Sequence, residues 1–145
     1  MSSIPYYIPK ARFGYNYGNS EIIDGLHKDG LMDPYEKIAM GVFADKTASK
    51  YNISREEQDD YAIRSYKNSS ISNDKGVFAK EIVSVAVVQK KGDDIIITED
   101  QEFKNVKFEK IPQLRPAFIK NGSVTAANSS TMNDGASALI LASID

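Results

Sequence analysis

Cysteine is absent from this 145-residue chain, and histidine occurs once. The first absence excludes a thiolate nucleophile, cysteine-type structural zinc and any disulfide within the polypeptide. The second leaves His27 as the only imidazole, in the loop-like stretch Gly25-Leu26-His27-Lys28-Asp29-Gly30 with no conspicuous nucleophile near it in sequence. Serine, threonine and lysine nucleophiles need a base beside them, so His27 reads as an exposed surface residue. An excess of one charge is lacking too. The 18 basic and 20 acidic residues are interspersed and give a formal net charge of -2, which leaves no basic stripe for a phosphate backbone and argues against a nucleic-acid partner. No apolar run is long enough to span a bilayer, so no membrane partner is expected. The start, Met1 to Tyr7, lacks the basic flank and apolar core of a signal peptide. The Asn-x-Ser sequons at Asn52, Asn68, Asn121 and Asn128 therefore read as coincidence, and an intracellular setting is expected.

What is present is an ordinary globular balance, 41% hydrophobic and 26% charged residues. A domain of this length typically buries about two-thirds of the surface that its unfolded chain exposes, so it needs no staple. The first thirty or so residues are rich in Pro, Gly, Tyr and Asn and read as a loop-dominated arm that packs on something else, such as a partner subunit. Gly14 and Gly18 lack the Lys-Ser/Thr that a P-loop requires. Asp33-Pro34-Tyr35-Glu36 reads as a capped helix start. Behind it Tyr35, Ile38, Ala39, Val42 and Phe43 form one apolar stripe and Met40, Ala44 and Ala48 a second face, which predicts a sandwiched helix with Met40 filling a core gap. Ser54-Arg55-Glu56-Glu57 opens a second, mostly polar helix that should stop near Lys75-Gly76. Its acidic Glu56, Glu57, Asp59 and Asp60 suit a solvated first turn favoured by the helix dipole. The β-branched runs 82–88 and 94–98, around a Gly-containing turn, predict a hairpin. Thr98 to Lys110 reads as irregular or marginal strand, and Pro116 breaks any helix there.

The closing stretch holds the densest chemistry. Gly122-Ser123-Val124-Thr125-Ala126-Ala127-Asn128-Ser129-Ser130-Thr131-Met132-Asn133-Asp134-Gly135 packs small and polar residues together, as suits a backbone that approaches a ligand closely. The run Ala136 to Ala142 behind it is apolar enough for a buried strand. The hydroxyls of Thr125 and Ser130 are better placed to bond a ligand amide or carbonyl than to attack. From residues alone the chain is a ligand-contacting α+β module without a self-sufficient catalytic set.

Residues 122–130 with Asn133-Asp134-Gly135-Ala136 closely resemble the signature of the thiolase family. Asp29-Gly30-Leu31, Ala39-Met40-Gly41, Ser54 to Asp59, Tyr61-Ala62, Gly76-x-Phe78 before Glu81-Ile82, and Leu114-Arg115-Pro116-Ala117-Phe118 reinforce the likeness in order. Together they cover nearly the whole chain and look most like the short-chain biosynthetic type. The resemblance implies an α+β fold, a thiolase-like loop domain over residues 1–132 that binds coenzyme A, and over 133–145 the returning strand of an α/β core. It implies condensation of two acetyl-CoA to acetoacetyl-CoA and CoA, or the reverse thiolysis, by a parent protein whose cysteines and activating base lie outside this chain. The chain alone is then inactive. The remainder of the core is its partner, in a homodimer or homotetramer, in the cytoplasm or mitochondrion. The rival expectation is a non-catalytic thiolase-derived binding or structural subunit.

Residue by residue, the resemblance puts Leu31, Met40, Phe118, Ala126 and Ser130 along the pantetheine and acyl pocket, and Lys110 near the nucleotide phosphates. No cofactor is required beyond the CoA thioester as substrate. Tyr66, with the carbonyls of Ala126, Ala127 and Ser129, matches positions that hold a potassium ion in some relatives. Two departures stand out. Ala39 replaces the histidine of a His-Met-Gly, and Asn105 occupies the place of a phosphate-facing arginine.

Overall fold

Two helices joined by a short link organise the chain, which is described over residues 1–144 in a computed structural model. The first, α1, runs Met40–Lys50 and the second, α2, Arg55–Asp74. The sequence explains the ends of α2. The Ser54 hydroxyl accepts from the Glu57 amide at 3.1 Å while the Glu57 carboxylate accepts from the Ser54 amide at 2.7 Å, so two otherwise orphaned donors are satisfied reciprocally. At the far end Gly76 takes φ 66°. The Val77 amide then bonds the Ser72 carbonyl and the Gly76 amide the Asn73 carbonyl, a Schellman ending that a glycine adopts without steric cost. Asn52, at φ 55°, closes α1 in the same way, with Ile53 donating to Ala48.

The Ser54 cap has a measurable weight. Bonds from the Ser54 amide and then its hydroxyl hold the Glu57 carboxyl below its usual range. A depressed folded-state value contributes stability that is present above the ordinary glutamate range and is lost as pH falls through the depressed value. Ser54→Ala should cost about 1 kcal/mol in a denaturant titration at neutral pH, and the difference from the parent should shrink in acid.

The start of α1 departs from the expectation. Asp33 does cap, accepting from the Tyr35 and Glu36 amides at 2.8 and 2.6 Å, but it caps a tight turn. Lys37 at φ 59° ends that turn, the Asp33 amide donates to the Ile38 carbonyl, and Met32 pairs with Ala39 in an antiparallel bridge. The helix therefore begins at Met40, and Tyr35 lies outside it, exposed. Nor is the helix sandwiched. Met40 and Ala44 are exposed, while Val42 and Phe43 are half-buried, so Met40 fills no core gap.

The expected hairpin is present and shorter: β3 (Val85–Val87) pairs antiparallel with β4 (Ile95–Ile97), Ala86 opposite Ile96. In the arm, β1 (Tyr6–Tyr7) pairs with β2 (Ile23–Asp24), followed by a wide π-type turn, Leu26–Leu31. The segment after β4 folds as two 3-10 turns, Glu102–Asn105 and Phe108–Gln113, packed on α2. The core is small: Ala48, Ala62, Ile111 and Val124 are the buried apolar residues, and Thr125 is fully buried.

Residues 131–144 form neither helix nor strand, and Leu139 and Ile140 are 90% and 97% exposed. The buried strand expected over 136–142 is not formed: among the described residues no strand pairs with it. Asp145, the end of the expected returning strand, lies outside the described residues. No helix among the described residues is long and apolar enough to cross a membrane.

Candidate functional site

The signature loop is held by two buried carboxylates, one from each helix. Asp45 of α1, 5% exposed, accepts from the Ser123 and Val124 amides at 2.6 and 3.0 Å through one oxygen. Its other oxygen is buried without a partner. Asp59 of α2, also 5% exposed, takes the Arg55 Nε at 2.7 Å on one oxygen and the Asn128 side-chain amide at 3.0 Å on the other. Asn128 in turn accepts from the Thr125 amide at 2.7 Å and donates to the Ser123 carbonyl at 3.0 Å. The Ser129 hydroxyl donates to the Thr125 carbonyl, and Gln58 reaches the Ser123 hydroxyl at 2.9 Å. A loop of small residues has few side chains of its own to fix its shape. Charge-assisted bonds to its backbone supply that shape from outside.

Seated in this way, the loop lines two adjoining open clefts that share Tyr66 and Ala127. One, about 280 Å3, is lined by Asn105, Lys107 and Lys110 together with Glu102 and Ala126. The other carries Ser129, Ser130 and Asn133 beside Tyr61 and Ser65. The structure thus brings together Lys110, Ala126, Ala127, Ser129, Ser130 and Tyr66. Phe118 lies in a separate recess formed by residues 115–121, its ring pressed on Gly41 so closely that a Cβ there would fall 2.2 Å from it. Met40 is the neighbour of that glycine in the chain. Leu31 is half-buried at the end of the Leu26–Leu31 turn, outside both clefts.

Tyr66 is half-buried, and burial together with the Glu102 carboxylate raises its phenol above the usual tyrosine value. Both effects oppose a second negative charge, so the hydroxyl is neutral at physiological pH. His27 is exposed, as expected.

Asp59 corrects the sequence reading. Glu56, Glu57 and Asp60 are solvated, but Asp59 is buried and paired. Asp45 was missed altogether. The available signal was its place between Gly41 and Ala48 on one helical stripe of small residues, where a charge has to find a buried partner.

The chain matches the family description "Thiolase, N-terminal domain" over residues 1–145, and it belongs to the thiolase family. A probable acetyl-CoA acetyltransferase of Dictyostelium discoideum is 51% identical over 143 residues, 99% of this chain and 34% of that protein. A Xenopus laevis protein named mitochondrial acetyl-CoA acetyltransferase A is 51% identical over 142 residues, 97% of this chain and 33% of its own length. Among solved structures, an Ascaris suum thiolase in complex with coenzyme A superposes with a TM-score of 0.79 at 43% identity, covering 92% of this chain and 33% of that one. An acetyl-CoA acetyltransferase from Syntrophomonas wolfei gives 0.83 at 41%, with the same coverage. The chain spans about a third of the length of the relatives it matches.

Proposed function

We propose that this chain is the coenzyme A-binding loop portion within the N-terminal domain of an acetyl-CoA acetyltransferase, which condenses two acetyl-CoA or cleaves acetoacetyl-CoA with CoA. The observation that carries the reading is the seating of the signature loop, with Ala126 and Ala127 lining a cleft that Lys107 and Lys110 also line. A thin pantetheine chain with two amides suits close backbone approach, apolar walls and a few hydroxyls. The two ammonium groups suit its phosphates and offset the asparagine at position 105. Ser130 serves a pantetheine amide, while Leu31, Met40 and Phe118 extend the acyl wall. The Ascaris suum relative, solved with coenzyme A, supports the ligand.

An inserted portion must leave and rejoin its core at neighbouring points. The Ser2 amide donates to the Asp134 carboxylate at 2.8 Å, which brings residues 2 and 134 together. Residues 136–144, exposed here, then complete a sheet supplied by the rest of the domain. The aromatic arm, with Phe13 and Tyr17 fully presented to solvent, is the surface for subunit contacts. The 145 residues hold no cysteine, so they contribute walls for the substrate and not the acylated nucleophile.

We extend the proposal to a potassium ion beside Tyr66, which shares its clefts with Ala126, Ala127 and Ser129. A neutral phenol oxygen and the backbone carbonyls of Ala126, Ala127 and Ser129 are hard oxygen ligands. No cluster of three or more His, Cys, Asp or Glu that would favour a transition metal exists among the described residues. The ion would steady the loop's carbonyls.

Titration calorimetry of this chain with coenzyme A tests the reading. Saturable heat that is weakened by Lys110→Ala and by Ser130→Ala is the expected result. Saturable heat that neither substitution alters would place the ligand elsewhere and overturn the assignment.

A further inference from the structure

The two sides of the Lys110 cleft come from segments remote in sequence, and a single chain of polar contacts joins them. Arg55 donates from Nε to Asp59 at 2.7 Å and from Nη2 to the Ile111 carbonyl at 2.9 Å. Asp59 accepts from Asn128 on its other oxygen at 3.0 Å. Ile111 is nearly fully buried within the 3-10 turn Phe108–Gln113 that carries Lys110. Asn128 organises the loop that carries Ala126, through the Thr125 amide and the Ser123 carbonyl. We infer that Arg55, Asp59 and Asn128 form a positioning relay across the first turns of α2 that sets the separation of the two cleft walls, so that neither wall moves independently of the other. Arg55 and Asp59 line neither cleft and act only through the segments they tie.

The geometry makes the relay all-or-none. Asp59 meets its two donors on different oxygens, so an amide in its place turns an NH2 group toward one of them and can satisfy Arg55 or Asn128 but not both. The guanidinium fork spans a carboxylate and a carbonyl at once, which a single ammonium at the end of a flexible stem does poorly. The bonds are charge-assisted and mostly out of water, so breaking one leaves a buried partner unsatisfied.

Amide hydrogen exchange on Asp59→Asn provides the test, with the exposed Glu56→Gln as control. Exchange should accelerate about tenfold or more in both 107–113 and 123–128 while residues 64–72 of α2 keep their protection. Acceleration confined to one segment, or to neither, overturns the relay. If Asp59→Asn loosens the whole chain, Arg55→Lys decides. It keeps a cation beside Asp59 but weakens the tie to Ile111, so acceleration should appear in 107–113 and carry into 123–128; confinement to 107–113 overturns the relay. The consequence for coenzyme A rests on the function proposed above. In the intact parent enzyme, Asp59→Asn should raise KM for acetyl-CoA about tenfold and leave KM for an acetyl thioester of N-acetylcysteamine, which lacks the nucleotide, within about twofold. Equal rises for both substrates overturn the wall-spacing role. Absence of coenzyme A binding by the unaltered protein sinks the functional reading but leaves the exchange coupling to be judged alone.

Discussion

Asp45→Ala should lower the unfolding free energy by about 3 kcal/mol, the largest effect of any single substitution in the loop's supports. The side chain is 5% exposed, and one of its oxygens takes two backbone amides. Truncation removes both charge-assisted bonds and leaves the Ser123 and Val124 donors with nothing to bond, Val124 itself being buried. Hydration offers little relief, because Gly122 and Ile119 close over the site: a Cβ at Gly122 would lie 2.7 Å from both carboxylate oxygens. For a chain of this length the loss corresponds to a fall in Tm of about 10 °C. Asp45→Asn separates the causes. It keeps the accepting oxygen and replaces only the oxygen that has no partner, so its cost should be about 1 kcal/mol. Equal losses in the two variants, read by urea unfolding, would show that the charge rather than the acceptor matters.

The buried carboxylates also show where the sequence is legible and where it stops being so. Features set by neighbours in the chain could be read directly. The Ser54–Glu57 reciprocal cap, the stop at Gly76 and the β3–β4 hairpin are each decided within a few residues, by a hydroxyl, a missing Cβ or a β-branched run. The start of α1 failed because Asp33 and Pro34 serve a tight turn as well as they serve a helix. What chose between them was Met32 pairing with Ala39, a contact that the local pattern does not announce. Asp59 failed for a related reason. An acidic residue in a first helical turn needs no explanation beyond the dipole, and only its distant partners, Asn128 in particular, show that it is structural. Residues 136–142 read as a strand on composition alone. A strand is a relation between segments, and among the described residues no segment pairs with this one.

The small residues of the site were legible as a class because a backbone that meets a ligand closely has to be stripped of side chains. Their placement was legible only in part. Lys110, Ala126, Ser129, Ser130 and Tyr66 do gather around adjoining clefts, whereas Leu31, Met40 and Phe118 lie apart from them. Phe118 rests on Gly41, the chain neighbour of Met40, so the acyl wall proposed for them depends on how that ring is held.

On the function proposed above, Gly41→Ala should weaken acetyl-CoA binding about tenfold while lowering stability by about 1 kcal/mol, because two opposed effects act on the fold and only one of them moves the ring. Gly41 is the second residue of α1 and lies outside the positive-φ region, so alanine is the better helix former by about 1 kcal/mol. Against this, the new methyl would sit 2.2 Å from the Cδ2 and Cε2 atoms of Phe118, far inside van der Waals contact. The ring must move. It is 43% exposed, but its Cγ would also lie 2.4 Å from the new methyl, so the whole side chain must shift, at a cost of about 2 kcal/mol of which the helical gain offsets about half. The acyl wall proposed for Met40 and Phe118 would then change, since the ring leaves the helix start that carries Met40. A double-mutant cycle isolates the clash. In a Phe118→Ala background the same Gly41→Ala substitution should stabilise the protein by about 1 kcal/mol, having nothing left to displace. Calorimetry on the four proteins reads both quantities. Additive effects on stability and on affinity would mean that the ring does not rest on Gly41 in solution, and that the contact has no part in binding.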